Sequence, residues 1–253
     1  MSRRSSPSWY VISLRPRGEH APLRREAAKR GGGLIALSPW QLRLRDDDAT
    51  RAALRDALAA SHVVFTSPAA VRAARALQSL ARSGQSVCAV GAGTAAALRR
   101  AGVAHVHSPT RMDSEGLLAL PALQDVQGRD LGLVTAPGGR GEIAPALTSR
   151  GARVLRADVY AREPVPLSVA AMQQLREADA PLVLALSSGE ALQRVLAVLP
   201  VDLAARLKQA YVVAASERLR VLARDLGFTD IEVAAGPRPA DLIDAAARRH
   251  PVA

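Results

Sequence analysis

Apolar and polar positions follow two periods that alternate along the chain. Short β-branched runs such as Trp9–Leu14 predict buried strands, and the segments between them carry apolar residues at helical spacing. In Ala69–Ala81, for example, Val71, Ala74 and Leu77 fall on one helical face. The alternation predicts βα units, and therefore an α/β fold with parallel sheets. The predicted strands are Trp9–Leu14, Gly33–Leu37, His62–Thr66, Ser86–Val90, Ala104–His107, Leu131–Thr135, Ala152–Val159, Pro181–Leu186, Ala210–Ala214 and Ile231–Ala234.

A weak internal repeat links the two halves of the chain. The segment Val64–Val71 is similar to Leu184–Leu192, and Ala89–Thr94 is similar to Val213–Arg218. The two members of each pair are separated by a similar length of chain, as expected for a duplicated supersecondary unit. The repeat predicts two domains of related topology.

Two polar or proline-bearing segments, Ser38–Gln41 and Arg162–Pro166, divide the pattern. Proline restricts φ and favours an extended backbone, so both segments are predicted to be extended linkers. Residues 1–37 and 167–253 then combine into a discontinuous first domain, and residues 41–162 form an inserted second domain.

The composition supports this size and fold. The chain has 253 residues, 49% of them hydrophobic and only 3% aromatic, which suits helices packed on buried parallel strands. Its formal charge of +11 will attract anions, whether nucleic acid, anionic lipid or a small polycarboxylate. Arginine supplies nearly all of this charge, and a GC-rich genome would produce the same bias without a functional demand.

The single cysteine and the N-terminus bear on location. Cys88 excludes an internal disulfide and lies in an apolar run, which predicts a buried structural thiol and a reducing compartment. The apolar stretch that follows the basic start is too short for a signal peptide, and no run of about 18 apolar residues is present to span a membrane. A cytoplasmic location is expected.

Candidate chemistry lies where the predicted strands end. In open parallel sheets, ligands bind beyond the carboxyl ends of strands, where helix N-termini present backbone N–H groups. Small hydroxyl residues and glycines at such turns either bind anions or simply cap helices. The turns in question are Ser13–Pro16, Thr66–Pro68, Thr135–Arg140, Ser187–Gly189 and Ser216–Arg218.

Other kinds of site have weaker support. Gly91–Ala96 matches a loose dinucleotide-binding pattern, but Asp113 lies past the tip of the next predicted strand, in a predicted helix cap, rather than where a ribose-binding acid is needed. His105 and His107 lack partners at metal-ligand spacing, and Asp46–Asp48 is predicted to begin a helix. Nucleic-acid binding is disfavoured because aromatic residues are scarce and no helix is densely basic.

A series of short motifs lies in a fixed order along nearly the whole chain. The motifs are Leu14–Pro16, Phe65–Val71, Val90–Thr94, Ser114–Leu118, Gly138–Arg140, Tyr160, Ser188–Glu190, Ser216–Leu219 and Leu222–Arg224. In their order and spacing they resemble the uroporphyrinogen-III synthase family. The sequence departs from the family where Leu14 replaces a threonine and where Ala136 and Pro137 precede the paired glycines.

The resemblance implies two flavodoxin-like domains joined by two extended linker strands, with the active site in the cleft between them. It implies a hydro-lyase that converts hydroxymethylbilane to uroporphyrinogen III in heme biosynthesis, losing water and inverting the D ring through a spiro intermediate. It also implies no cofactor and no metal. From the residues themselves we expect no nucleic-acid partner and no membrane partner, and we expect a monomer. A non-catalytic anion- or nucleic-acid-binding module and a dinucleotide enzyme remain as alternatives.

Site residues follow from the same resemblance. Tyr160 stands at the family's tyrosine and is expected to hydrogen-bond and protonate the leaving hydroxyl. The expected substrate-binding residues would hold the carboxylates through arginines, hydroxyls and backbone N–H groups. They are Arg15, Pro16, Thr66, Ser67, Thr94, Gly138, Gly139, Arg140, Ser187, Ser188, Gly189, Ser216 and Arg218.

Overall fold

The computed structural model describes residues 7–80, 84–138 and 141–250. The chain divides into two compact units, which are described separately below. Unit 1 combines Met1–Gln41 with Glu163–Ala253, and unit 2 is Leu42–Arg162.

The regular elements alternate as the sequence pattern predicts. In chain order the strands are β1 (Trp9–Ser13), β2 (Gly32–Ala36), β3 (Trp40–Leu44), β4 (His62–Phe65), β5 (Ser86–Ala89), β6 (Asp130–Thr135), β7 (Arg153–Asp158), β8 (Tyr160–Pro164), β9 (Leu182–Leu186), β10 (Tyr211–Ala214) and β11 (Ile231–Val233). The α-helices are α1 (Ala21–Ala28), α2 (Asp48–Ala59), α3 (Pro68–Leu77), α4 (Ala92–Arg100), α5 (Ser114–Leu118), α6 (Ile143–Ser149), α7 (Val169–Glu177), α8 (Gly189–Val198), α9 (Val201–Lys208), α10 (Glu217–Asp225) and α11 (Pro239–Arg249). Across the described part of the chain, none of these helices has the length and apolarity needed to cross a bilayer.

Unit 1 is built on a five-stranded sheet in the order β11-β10-β9-β1-β2, with every neighbouring pair parallel. Successive side chains of a strand point to opposite faces, and β1 follows this rule. Trp9 and Val11 pack in a core with residues of α1 and α11. Ile12 packs in a second core with residues of α7 to α10. The sheet is therefore covered on both faces, which explains why its strands are apolar throughout.

Unit 2 contains a four-stranded parallel sheet in the order β5-β4-β6-β7. Phe65 belongs to the core that includes residues of α2, α3 and α4, and Val64 lies in the core on the other side. Cys88 is 0% exposed in that second core, and burial raises the pKa of its thiol to about 11. The prediction of a buried structural thiol is confirmed.

The order of the strands reverses at one place in each sheet. Numbered by their own chain order, the strands of unit 1 run 2-1-3-4-5 and those of unit 2 run 2-1-3-4, which is the flavodoxin-like arrangement. The predicted α/β fold with parallel, flavodoxin-like sheets is confirmed. The reversal lies between β1 and β9 in unit 1, and between β4 and β6 in unit 2.

The linker segments are partly extended strands, and one predicted strand is wrong. Strands β3 and β8 overlap the two predicted linkers and pair as a separate two-stranded sheet. The predicted strand Ala104–His107 is wrong, since only His107 makes a bridge, to Cys88 of β5. Pro109 soon follows and has no N–H to donate, so the pairing does not extend into a strand.

Acidic residues begin two helices of unit 2. Asp47 precedes α2 and accepts a hydrogen bond from the Thr50 N–H at 2.8 Å, and Asp113 accepts one from the Gly116 N–H at 2.8 Å before α5. A carboxylate at an N-cap satisfies an otherwise unpaired backbone donor and complements the helix dipole. The predictions that these aspartates begin helices are confirmed.

Candidate active site

Two threonine hydroxyls meet where the strand order of unit 2 reverses. Thr66 directly follows β4 and Thr135 ends β6, its neighbour in the sheet. The Thr66 hydroxyl donates to the Thr135 hydroxyl oxygen at 2.8 Å. Thr135 therefore keeps its own proton for another acceptor. This is the position at which sheets of this topology bind ligands.

A pocket of about 200 Å³ opens beside the threonine pair. It is smaller than the roughly 300–1,000 Å³ of typical small-molecule sites, so it accommodates a part of a large ligand rather than the whole of it. Its hydroxyl-bearing residues are Thr66, Ser67, Ser114, Thr135 and Tyr160, and its other polar or flexible lining residues include Gly138, Glu142, Arg156 and Arg162.

Tyr160 and Ser67 form the best-defined polar contact in the pocket. Tyr160 begins β8 and is only 6% exposed, yet its phenol oxygen lies 3.1 Å from the Ser67 hydroxyl oxygen. Ser67 is the N-cap of α3, and its hydroxyl oxygen accepts a hydrogen bond from the Ala70 N–H at 3.0 Å. Pro68 at the start of α3 fixes the backbone for the helix. The sequence around Ser67 thus fixes the hydroxyl that contacts Tyr160.

Arginine gives the pocket its positive charge. Arg156 of β7 donates to the Ala136 carbonyl at 3.2 Å and forms an ion pair with Asp158 at 3.0 Å. Its guanidinium has five N–H donors, so these contacts leave donor capacity for an anion. Arg162 lies on β8, two residues beyond Tyr160.

In unit 1, a second group of predicted residues follows β1 and β9, the pair at which that sheet's order reverses. Arg15 and Pro16 follow β1 and are half-buried, whereas Ser187 follows β9 and is exposed. Burial lowers the pKa of Arg15 and the charge of Glu19 opposes this shift, but an arginine remains a cation at neutral pH. Ser188 caps α8 by accepting from the Ala191 N–H at 3.3 Å.

The next strand of unit 1 ends in the same way. Ser216 is the N-cap of α10 and makes no side-chain capping bond there, and Arg218 is exposed in the first turn of the helix. Unit 1 therefore carries arginine and serine side chains at the carboxyl ends of β1, β9 and β10.

His20 fixes the loop that carries Arg15. Its Nδ1 lies 2.8 Å from the Ser13 hydroxyl and its Nε2 lies 2.7 Å from the Ser38 hydroxyl. His20 is 7% exposed, and its burial, followed by the charges of Arg24 and Arg15, lowers its pKa to about 4. The ring is therefore neutral at pH 7, with one nitrogen donating and the other accepting. His20 was absent from the predicted site, although its position just before a helix with an early proline is a visible signal in the sequence.

Two predicted binding residues lie in the interior instead. Thr94 is 3% exposed within α4, so its side chain packs in the protein. Gly189 is buried at the start of α8, and a Cβ at that position would collide with Leu222 of α10. Helix packing accounts for the burial of both residues, and their contact with substrate stays a prediction. Gly139 and Arg140 lie outside the described residues.

The pocket also contains residues that were absent from the predicted site. Thr135, Arg156 and Arg162 line it together with the predicted Thr66, Ser67, Gly138 and Tyr160. Thr135 could have been predicted as a site residue, since it ends the strand beside β4. The two arginines could not, because a charged residue on an edge strand is a common feature of protein surfaces.

The dinucleotide-like motif has a different structural setting from a nucleotide-binding loop. Gly91 follows β5, which is the edge strand of its sheet rather than one of the pair at the reversal. A Cβ at Gly91 would lie 3.1 Å from Cβ of Met112, so a protein side chain already occupies the space beside this glycine. Within residues 7–80, 84–138 and 141–250, no group of three or more His, Cys, Asp or Glu side chains is arranged to hold a metal ion.

Comparisons with known proteins agree on one family. The profile of the family described as uroporphyrinogen-III synthase HemD matches residues 21–244. The uroporphyrinogen-III synthases of Escherichia coli K12 and Salmonella typhimurium LT2 are each 34% identical to the chain over 148 residues, which are 58% of this chain. The match spans 60% of the length of each of these relatives.

Solved structures are similar over a longer region. A mutant uroporphyrinogen III synthase from the extremely thermophilic bacterium Thermus thermophilus has a TM-score of 0.62 at 19% identity, covering 94% of this chain and 97% of that one. The synthetase from Helicobacter pylori 26695 has a TM-score of 0.62 at 12% identity, covering 95% and 98%. At these identities the similarity shows a shared fold.

Proposed function

The chain belongs to the uroporphyrinogen-III synthase family, and from this premise we propose that it converts hydroxymethylbilane to uroporphyrinogen III, a cyclisation with loss of water. The observation that carries the proposal beyond family membership is the pocket of unit 2. It joins a buried phenol, a pair of threonine hydroxyls and two arginines at the strand-order reversal of a flavodoxin-like sheet.

The first chemical step is the loss of the hydroxyl group. The Tyr160 phenol donates a hydrogen bond to this hydroxyl and passes its proton to the oxygen as the carbon–oxygen bond breaks. The bonding electron pair leaves with the oxygen, so the products are water, a cationic azafulvene and the Tyr160 phenolate. A proton that the bilane loses during ring closure returns to the phenolate.

The second task is to control which carbon is attacked. The azafulvene reacts readily, and attack at the substituted carbon of the D ring leads through a spiro intermediate to the inverted, type III product. Holding the two reacting ends at bonding distance in this geometry is a positional effect, and such effects contribute many orders of magnitude to rates. The protein contributes shape and charge here rather than a further acid or base.

The carboxylates of the substrate provide the means of positioning it. Each pyrrole carries two carboxylate side chains, and the formal charge of +11 attracts such a polyanion. In unit 2, Arg156, Arg162 and the Thr135 hydroxyl bind the part of the substrate that enters the pocket. In unit 1, Arg15, Ser187 and the exposed Arg218 at the strand ends supply further donors.

The remaining predicted residues have smaller roles in the proposal. Pro16 shapes the loop after Arg15, and Gly138 lines the pocket with its backbone. Ser188 and Ser216 present backbone N–H groups of helix N-termini to carboxylates. The proposal includes no cofactor and no metal, a monomeric state and a cytoplasmic location.

The test is to supply hydroxymethylbilane to the purified protein and resolve the isomers of the product. Uncatalysed ring closure yields the symmetric type I isomer, and a reaction without protein measures its rate. Type III product formed in excess of that background, in proportion to enzyme concentration, supports the proposal. Type I product alone, at the background rate, overturns it and favours a non-catalytic anion-binding module.

A further inference from the structure

The Ser67 hydroxyl has two partners inside the protein, and their arrangement limits what it can do for a substrate. A serine hydroxyl has one proton and two lone pairs. One lone pair accepts the Ala70 N–H at 3.0 Å, and the Tyr160 phenol oxygen lies 3.1 Å away. The distances fit either direction of the Ser67–Tyr160 bond, so the direction must be decided on other grounds.

The N-terminus of α3 favours donation by Ser67. An oxygen that already accepts a hydrogen bond becomes a better donor and a poorer second acceptor, because bonds in a chain polarise one another. The positive end of the α3 dipole lies at Ser67, which favours electron density on the phenol oxygen beyond it. Both effects direct the Ser67 proton toward Tyr160.

Donation by Ser67 determines where the phenol proton points. The Tyr160 oxygen then accepts from Ser67, so its own proton is left for another acceptor, which a ligand in the pocket that both residues line can supply. If Ser67 accepted instead, the same proton would be held by the helix cap and withheld from a ligand. The direction of this one bond therefore decides whether Tyr160 can act as a donor.

We infer that Ser67 is a positioning residue, which orients the Tyr160 phenol toward the substrate's leaving hydroxyl and stabilises the phenolate after the proton has moved. This inference rests on the proposed function and revises the expectation that Ser67 binds substrate itself. As the proton passes to the leaving hydroxyl, the neutral bond from Ser67 becomes a bond to an anion, which is stronger. Ser67 thus acts on the transition state through Tyr160.

Variants at Ser67 separate orientation from helix capping. Ser67→Ala removes both functions, and Ser67→Asp keeps the cap but only accepts hydrogen bonds, so it draws the phenol proton away from the pocket. We expect both variants to lower kcat about 10- to 100-fold, the range for losing a hydrogen bond to a charged group. Ser67→Asp should keep the melting temperature of the parent, and Ser67→Thr, which both caps and donates, should retain kcat within about threefold.

A double-mutant cycle with Tyr160→Phe identifies the route of the effect. If Ser67 acts through the phenol, Ser67→Ala changes kcat less than about twofold in the Tyr160→Phe background, because coupled groups are not additive. The matched control is Ser168→Ala, since Ser168 caps α7 in the same way, accepting from the Ala171 N–H at 3.4 Å. This control should leave kcat unchanged while losing a comparable cap.

Failure of the proposed function and failure of the positioning role of Ser67 give different experimental results. Parent protein that forms only type I product overturns the proposed function, and the role of Ser67 falls with it. Parent protein that forms type III product while the Ser67 and Tyr160 losses multiply, or while Ser67→Asp is fully active, overturns the positioning role alone. A Ser67→Ala variant that changes KM but not kcat also overturns the positioning role, because this result indicates that Ser67 contacts the substrate directly.

Discussion

The buried ring of His20 makes the stability of unit 1 depend on pH. The neutral imidazole is hydrogen-bonded on both sides, to Ser13 at the end of β1 and to Ser38 after β2. Protonation would place a charge in the interior, near the cations Arg24 and Arg15, which is why its pKa falls to about 4. An unfolded chain binds the same proton near the ordinary histidine pKa of about 6.5.

The sign and size of the effect follow from these two pKa values. Between about pH 6.5 and pH 4 the unfolded state holds more protons at His20 than the folded state, so the free energy of unfolding falls as the pH falls. Below about pH 4 both states are protonated and this contribution stays constant. Each pKa unit corresponds to about 1.36 kcal/mol, so the full difference is about 3 kcal/mol, a large part of the roughly 5–15 kcal/mol that stabilises a domain.

The measurement compares the parent with His20→Gln, in which an uncharged amide replaces the titrating ring. Urea unfolding followed by circular dichroism at pH values from 7.5 to 4 gives the free energy of unfolding at each pH. We expect the variant to be less stable at pH 7, and the gap to close by about 3 kcal/mol on going to pH 4. His105→Gln, at an exposed loop position, is the matched control and should run parallel to the parent. Parallel profiles for His20→Gln and the parent would refute the neutral, buried state of the ring.

Three further predictions concern the site and the core. Tyr160→Phe should lower kcat for type III product about 100-fold, which is the lower range for the loss of a general acid. The control variant Tyr10→Phe on β1 should keep full activity. Equal rates for the two variants would exclude a catalytic role for Tyr160. Arg15→Ala should raise KM about tenfold, because it deletes a charge-assisted hydrogen bond to the substrate. Arg25→Ala, on the exposed face of α1, should leave KM unchanged. Steady-state kinetics at fixed ionic strength measures KM for both variants. Cys88 should resist thiol reagents in the native protein and react only on unfolding, since it is 0% exposed and has a pKa of about 11; rapid native labelling in a colorimetric thiol assay would contradict this.

The strands that carry the sheets were predictable because both faces of each sheet are covered. Burial on two sides leaves continuous apolar runs such as Leu182–Leu186, which stand out from their surroundings. The strands β3 and β8 lack this signal, because they pair only with each other and carry exposed polar residues. Each of these two strands pairs with a partner that is distant in sequence, so the local residue pattern gives little indication of the pairing.

The site was predictable in part, for a related reason. Ser67 and Tyr160 stand at a strand end and at a family motif, and both line the pocket. Thr94 also stands in a motif, but a position in the first turn of a helix points outward or inward according to how the helix packs, which local sequence does not encode. His20 escaped notice because its two partners lie 7 and 18 residues away, and only the folded sheet brings them together.

The internal repeat has a structural meaning that differs from a simple duplication of whole domains. It matches β4 and β5 with β9 and β10, whereas counting strands within each unit matches β4 and β5 with β1 and β2. Both correspondences preserve the neighbours of every strand, because the order β5-β4-β6-β7 has the same form when it is set against β2-β1-β9-β10 or against β10-β9-β1-β2. In either case, strands connected by helices follow one another outward from the reversal in each direction. The repeated element is therefore a half-sheet, and each reversal joins two such halves. This arrangement explains why hydroxyl-bearing helix N-termini recur beside both reversals, as at Ser67 and Ser188, although only the one at Ser67 contacts a tyrosine hydroxyl among the hydrogen bonds of the described residues.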